Sequence, residues 1–198
     1  MNVFVLCTGR SGSLTMTRAC RHIANYTTGH ESRLDCIGRA RLDYPENHIE
    51  VDNRLSWLLG RLDKAYGNNA YYVHLIRDIN QTAQSYNKRW QNRYSLIRAY
   101  SHDILMQKKN HFETCRDLWD TVNTNISLFL KDKSHKREIR LENAQEDFSQ
   151  FWKEIGAEGN LEEALKEFSE KHHAHTEKIS RKPIILIRRF LQNVGLSR

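Results

Sequence analysis

A chain of 198 residues is long enough for one domain with a substantial core and too short for two. Its 31 Lys and Arg against 24 Asp and Glu leave a formal charge of +7, which favours an anionic ligand or surface. Two prolines and nine glycines argue against disorder and against a turn-rich all-β fold.

The opening residues carry the most specific local pattern. Val3, Phe4, Val5 and Leu6 form a short apolar run of β-branched and aromatic residues, as in a parallel strand covered on both faces. A small-residue loop over residues 8–13 follows, in which Gly9 and Gly12 allow tight turns and close approach of a ligand. Ser11, Ser13 and Thr15 then supply hydroxyls where a helix begins and unpaired N–H groups point outward. With the charge of Arg10, these residues read as an anion cradle. The plainer reading of the same residues is a tight strand-to-helix turn with an ordinary N-cap. The loop is no Walker A motif, since Gly12 is followed by Ser13 and Leu14 with no lysine, and Cys7 lies too close to Arg10 for a Cys-x5-Arg phosphatase loop.

Further along, the spacing predicts a helix over residues 14–25 with Met16, Ala19, Cys20 and Ile23 inward. A short strand follows, with His30 and Glu31 at its tip. Residues 33–47 read as a polar surface excursion, residues 48–52 as a strand, and Leu55 to Ala65 are spaced as a helix. A second strong strand over residues 70–76 runs into Arg77, Asp78 and a helix over residues 79–90. Residues 94–130 read as mainly helical, residues 136–141 as a short basic strand, and residues 144–155 and 161–168 as helices. Residues 183–194 carry an apolar stripe opposite Arg188 and Arg189, which fits core or oligomer packing, or peripheral contact with an anionic membrane. Strands alternating with helices imply an α/β fold: a single domain over residues 1–198, a central parallel sheet with helices on both faces, and a helix-rich second half.

Cys7, Cys20, Cys36 and Cys115 lack zinc or redox spacing and read as reduced thiols. The cluster of His172, His173 and His175 reads as a solvated loop, so no metal is expected. No apolar run nears the roughly 18 residues of a membrane span, and no secretory signal precedes the first strand, so a soluble cytoplasmic protein is expected.

Ligands of open parallel sheets sit at the carboxyl ends of the strands. Four polar groups fall there: the loop at 8–13, His30 with Glu31, Asp52 with Asn53 and Arg54, and Arg77 with Asp78. Arg77 must find an anion or stay solvated, and Ser85, on the next helix, is placed to offer a hydroxyl to the same anion.

The stretch from Leu6 to Ser13 resembles the 5'-phosphosulfate loop of sulfotransferases that use 3'-phosphoadenosine 5'-phosphosulfate (PAPS), and the stretch from Leu75 to Tyr86 is similar to their 3'-phosphate segment, with an arginine and a serine eight apart. The resemblance spans residues 2–90 and, more loosely, 137–155. It implies a three-layer fold like that of P-loop NTPases and in-line sulfuryl transfer without metal. Gly9, Arg10, Ser11, Gly12, Ser13, Leu14 and Thr15 would line the phosphosulfate, with Arg10 facing the leaving group. Arg77 and Ser85 would hold the 3'-phosphate. Glu31 stands where many members have a glutamate base, with His30 beside it as the alternative; a solvated loop tip is the plainer reading of both. The chain departs from the family at Leu14, where a second hydroxyl is usual, and at Pro183, which follows Arg181 and Lys182 where a glycine is common. The implied acceptor is a small-molecule or glycan hydroxyl, with a carbohydrate or glycolipid favoured.

Two other classes compete. A phosphotransferase using ATP and magnesium would take Asp52 as its metal carboxylate, but lacks the loop lysine. A noncatalytic nucleotide, anion or nucleic-acid binder fits the charge, yet no nucleic-acid-binding signature is present and a nucleic-acid partner is not expected.

Overall fold

Backbone hydrogen bonding joins five strands into one all-parallel sheet in the order β2-β3-β1-β4-β5, comprising β1 (Asn2–Leu6), β2 (Thr27–His30), β3 (His48–Val51), β4 (Ala70–Ile76) and β5 (Lys136–Arg140). The computed structural model describes residues 1–106 and 110–169. The expected metal-free histidine cluster at 172–175, Arg181 and Lys182, and the stripe at 183–194 lie outside the described residues.

The strands are sorted by their own alternation. Val3 and Val5 of β1, with Ile49, Val51, Val73, Leu75 and Ile139, face one core layer. There they meet α1 (Ser13–Cys20), α6 (Ala144–Glu154) and α7 (Leu161–Ser169) through Met16, Phe148, Phe151 and Ala164. Phe4, Leu6 and Tyr72 face the opposite layer. Its helices are α2 (Leu59–Tyr66), α3 (Ile79–Asn87), α4 (Leu96–Ala99) and α5 (His111–Leu130), packed through Leu62, Ala83, Ile97 and Leu118. This is the expected α/β arrangement, a parallel sheet with helices on both faces.

Sheet order positions the site. The connection after β1 runs through α1 to β2, and that after β4 runs through α3 and α5 to β5, so chain direction across the sheet reverses beside β1. The two helices lie on opposite faces, and the crevice opens between the carboxyl ends of β1 and β4.

Several expected elements are corrected. The first helix stops at Cys20 instead of running to residue 25, because Ile23 bridges to Gly159 and Asn25 is drawn to the backbone of Gly156 and Glu158. The helix expected from Leu55 divides into a 3-10 turn, Asn53–Trp57, and α2, because Asp52 caps the turn by accepting from the Arg54 N–H. The helix expected over residues 79–90 ends at Asn87, with turns beyond. The excursion at 33–47 is not wholly superficial, since Arg41, Leu42 and Tyr44 are buried, with Arg41 paired to Asp52 just past β3. All four cysteines are free. Among the described residues, no helix is long and apolar enough to cross a membrane and no cluster has the makings of a metal site.

Candidate active site at the β1 and β4 ends

After Leu6 the chain makes a tight loop in which Gly9, Arg10 and Gly12 all have positive φ, at 78°, 61° and 90°. Arg10 gains nothing from this conformation locally, and a non-glycine residue held there is a strained element that surrounding contacts must impose. Gly9 admits no side chain, because a Cβ would lie 2.7 Å from Tyr86 Oη and 2.8 Å from Asn53 Nδ2. Gly12 is equally constrained, its Cβ position lying 2.7 Å from Leu141 just past β5. The glycines thus let three segments close on the loop from behind.

Gly12 is the N-cap of α1 and no side chain caps the helix. The first-turn N–H groups of Ser13, Leu14 and Thr15 therefore keep their capacity to bind an anion. This accounts for Leu14, since a cradle built from backbone amides does not require a hydroxyl at that position. Ser11 is 1% exposed; its Oγ has no well-aligned hydrogen-bond partner among the described residues and reaches only the Cys7 thiol, a weak acceptor. A buried hydroxyl so poorly satisfied costs about 1–3 kcal/mol. Burial pushes the Cys7 thiol up to about 11, which leaves this cysteine without nucleophilic character at neutral pH.

Side chains from α3 lock the loop to β4. Tyr86 Oη donates to the Thr8 carbonyl, and burial pushes the phenol's pKa up, so it remains a donor. Arg77 Nη1 donates to the Arg10 carbonyl at 3.3 Å and Nη2 to Gln81 Oε1 at 2.9 Å, while its buried Nε is unpartnered. The end of β4 is steadied from α5, where Trp119 Nε1 donates to the Arg77 carbonyl at 2.9 Å. Arg10 Nε donates to Ser85 Oγ at 3.0 Å. The Arg10 guanidinium thus stands beside Ser85, on the helix that follows Arg77. Burial first, then the charges of Arg89 and Arg77, lower the pKa of Arg10 from its ordinary value.

The tip of β2 closes the other side. Glu31 has φ 50° and is gripped by Asn53 Nδ2 at 3.3 Å and by Arg54 Nη1 at 2.8 Å, the latter an ionic approach rather than an aligned hydrogen bond. His30 Nε2 lies 3.4 Å from Ser13 Oγ at the start of α1. The loop, His30 with Glu31, and Arg77 with Ser85 are therefore brought to one end of the sheet.

Two expected members of that set are engaged elsewhere. Asp52 is fully buried and paired with the buried Arg41 guanidinium, in addition to capping Arg54. Both oxygens of its carboxylate meet protein partners. Asp78 caps α3 by accepting from the Gln81 N–H, and its own N–H donates to Glu142 Oε1, so it faces α3 and the β5 turn. Sequence reasoning missed Arg41, Trp119 and the role of Tyr86, whose contacts are made across the fold and leave no local signal.

No protein-family model, no curated protein and no solved structure matches the chain.

Proposed function

We propose that the protein is a sulfotransferase that takes the sulfuryl group of PAPS and transfers it to an acceptor hydroxyl, on a three-layer fold of the P-loop kind. The observation that supports the reading is a pair of donor clusters on one crevice: the uncapped start of α1 with the poorly satisfied Ser11 hydroxyl, and the Arg10, Arg77 and Ser85 cluster. The residues fit such a donor. Unpaired backbone N–H groups and Ser11 suit its 5'-phosphosulfate, and arginines that meet only neutral acceptors suit a second phosphate. Charge-assisted bonds contribute about 1.5–3 kcal/mol each, so a few hold the nucleotide without metal.

The phosphosulfate supplies an activated sulfur–oxygen bond. The acceptor oxygen bonds to sulfur as the bond to the phosphate oxygen breaks, releasing adenosine 3',5'-bisphosphate. The acceptor's proton passes to Glu31, whose strained backbone and two donors hold the carboxylate in one orientation. His30 contacts the first turn of α1 and orients Ser13. Carbohydrate or glycolipid hydroxyls are the acceptors favoured.

The competing phosphotransferase reading loses its metal carboxylate to the Arg41 pair. A thermal-shift experiment separates the readings, using adenosine 3',5'-bisphosphate, ATP with magnesium, and a DNA oligomer. The bisphosphate at about 100 times its Kd adds roughly 2.7 kcal/mol of stability. Stabilisation by ATP with magnesium but not by the bisphosphate overturns the sulfotransferase reading, and stabilisation by DNA alone favours a nucleic-acid binder.

A further inference from the structure

Glu50 is fully buried on β3, where a parallel strand covered on both faces ordinarily carries an apolar residue. A carboxylate is tolerated there only when its oxygens are hydrogen-bonded. His48 Nε2 donates to Oε2 at 3.0 Å, while Ser32 donates its backbone N–H to Oε1 at 2.7 Å and its hydroxyl to Oε2 at 2.5 Å. An ionised carboxylate only accepts, so His48 carries a proton on Nε2 and leaves Nδ1 to the Thr27 hydroxyl, 2.8 Å away. Burial pushes the Glu50 carboxyl up, yet the bonds from His48 and Ser32 outweigh it and keep its pKa below the ordinary 4.5.

β2 leaves room for that carboxylate at Gly29, where a Cβ would collide with Glu50 Oε2. β2 ends at His30, and the next two residues are both tied to β3. Glu31 donates its N–H to the Val51 carbonyl at 3.1 Å, and Ser32 is held by Glu50. Between these anchors Glu31 has φ 50°, a conformation that a non-glycine residue keeps only when its surroundings impose it. In that conformation its carboxylate meets Asn53 Nδ2 at 3.3 Å and Arg54 Nη1 at 2.8 Å.

We infer that Glu50 is a positioning residue for Glu31: by holding the N–H and hydroxyl of Ser32 from β3, it fixes the left-handed backbone that aims the base. The inference rests on the proposed function for what Glu31 does, and on the hydrogen bonds alone for how Glu31 is held. Glu50 touches no reacting atom in this role. A carboxamide is a poor substitute, since only one of its two terminal atoms accepts.

Glu50→Gln is compared with the wild type by amide NMR of the full chain without ligand, and then by turnover. The wild type is expected to show a strong intraresidue Overhauser effect between the Glu31 N–H and Hα, the mark of positive φ, and slow exchange of the Ser32 amide. Both should be lost in Glu50→Gln while the amides of β1 and β4 keep their shifts. Turnover is the release of adenosine 3',5'-bisphosphate from PAPS with glucose as the probe acceptor. Glu50→Gln should lower kcat by about 10- to 100-fold and leave the bisphosphate Kd within about 2-fold. In a Glu31→Gln background the same substitution should cost nothing further, because Glu50 acts only through Glu31. Ser32→Ala, at an exposed position, removes only the hydroxyl bond and should give a smaller loss of the same kind, even if Glu50→Gln fails to fold. An Overhauser effect and a Ser32 exchange rate unchanged in both variants overturn the positioning role and spare the proposed function. Equal loss of turnover with and without Glu31 also overturns it, since a purely structural role acts in both backgrounds. A wild type that binds no bisphosphate overturns the proposed function, and the NMR comparison still decides whether Glu50 holds Glu31.

Discussion

Two buried polar regions flank β1, and they are built on opposite rules. Under the excursion after β2, each charge meets an opposite charge or a donor: Arg41 meets Asp52, while Glu50 accepts from His48 Nε2 at 3.0 Å and from the Ser32 N–H at 2.7 Å. Thr27 Oγ1 closes that network on His48 Nδ1 at 2.8 Å. On the other side, at the β1 and β4 ends, Arg77 Nε is buried without a partner, Ser11 Oγ reaches only the Cys7 thiol, and Arg10 and Arg77 donate only to neutral acceptors. A satisfied network stabilises a fold and has nothing left to offer a ligand. An unsatisfied one costs stability, and that cost is recovered when something binds.

Substitutions on the two sides should therefore separate stability from binding. The largest effect is expected at Glu31, where Glu31→Gln should lower sulfuryl transfer by about 10²–10⁴ with little change in bisphosphate affinity. Turnover and calorimetry together check this; unchanged turnover would pass the base to His30. Next, Arg41→Ala leaves Asp52 buried and unpaired, and should cost about 3–5 kcal/mol of stability by denaturant unfolding, with the affinity of the folded fraction kept. Arg77→Ala should do the reverse. It should weaken the bisphosphate by about 1.5–3 kcal/mol and shift the unfolding midpoint by no more than about 0.5 kcal/mol. If Arg41→Ala spared stability, or Arg77→Ala destroyed it, the division between the two regions would fail.

The smallest effect concerns His74, which is buried on β4 with Nε2 2.8 Å from Asn123 Oδ1. Burial lowers its pKa from the ordinary 6.5, so the unfolded chain takes up a proton that the folded chain refuses. Its contribution is complete above pH 6.5 and is lost as the pH falls from there toward the lower folded value. The slope is at most about 1.4 kcal/mol per pH unit. Glu50, whose pKa is held below 4.5 by the His48 and Ser32 hydrogen bonds that outweigh its burial, adds its own loss only at lower pH. Urea midpoints at pH 7.5 and 5 should therefore differ in the wild type and converge in His74→Gln.

Much of the scaffold was legible locally. The apolar runs at Val3 to Leu6 and Ala70 to Ile76 became the two central strands, and the glycine loop became a turn into a helix at Ser13. Boundaries failed where a distant segment intervened, as when Gly159 captured Ile23 and cut α1 short. The excursion at 33–47 misled because its composition is polar, while the partner of the buried Arg41 is a carboxylate 11 residues away, just past β3. Leu14 is the residue that least suits the expected anion cradle, and it lies in the first turn of a helix that no side chain caps.

The sequence by itself determined the strands, the loop and the spacing of Arg77 and Ser85, because alternation, glycine conformation and helical period all act between near neighbours. Strand order was decided only in three dimensions, by pairings between segments far apart in the chain. That order brings Arg10 to Ser85 across 75 residues, Arg77 to the Arg10 carbonyl across 67 and Tyr86 to Thr8 across 78. The glycine loop and the start of α3 thereby became two walls of one crevice, because β1 and β4 are neighbours in the sheet and their helices lie on opposite faces.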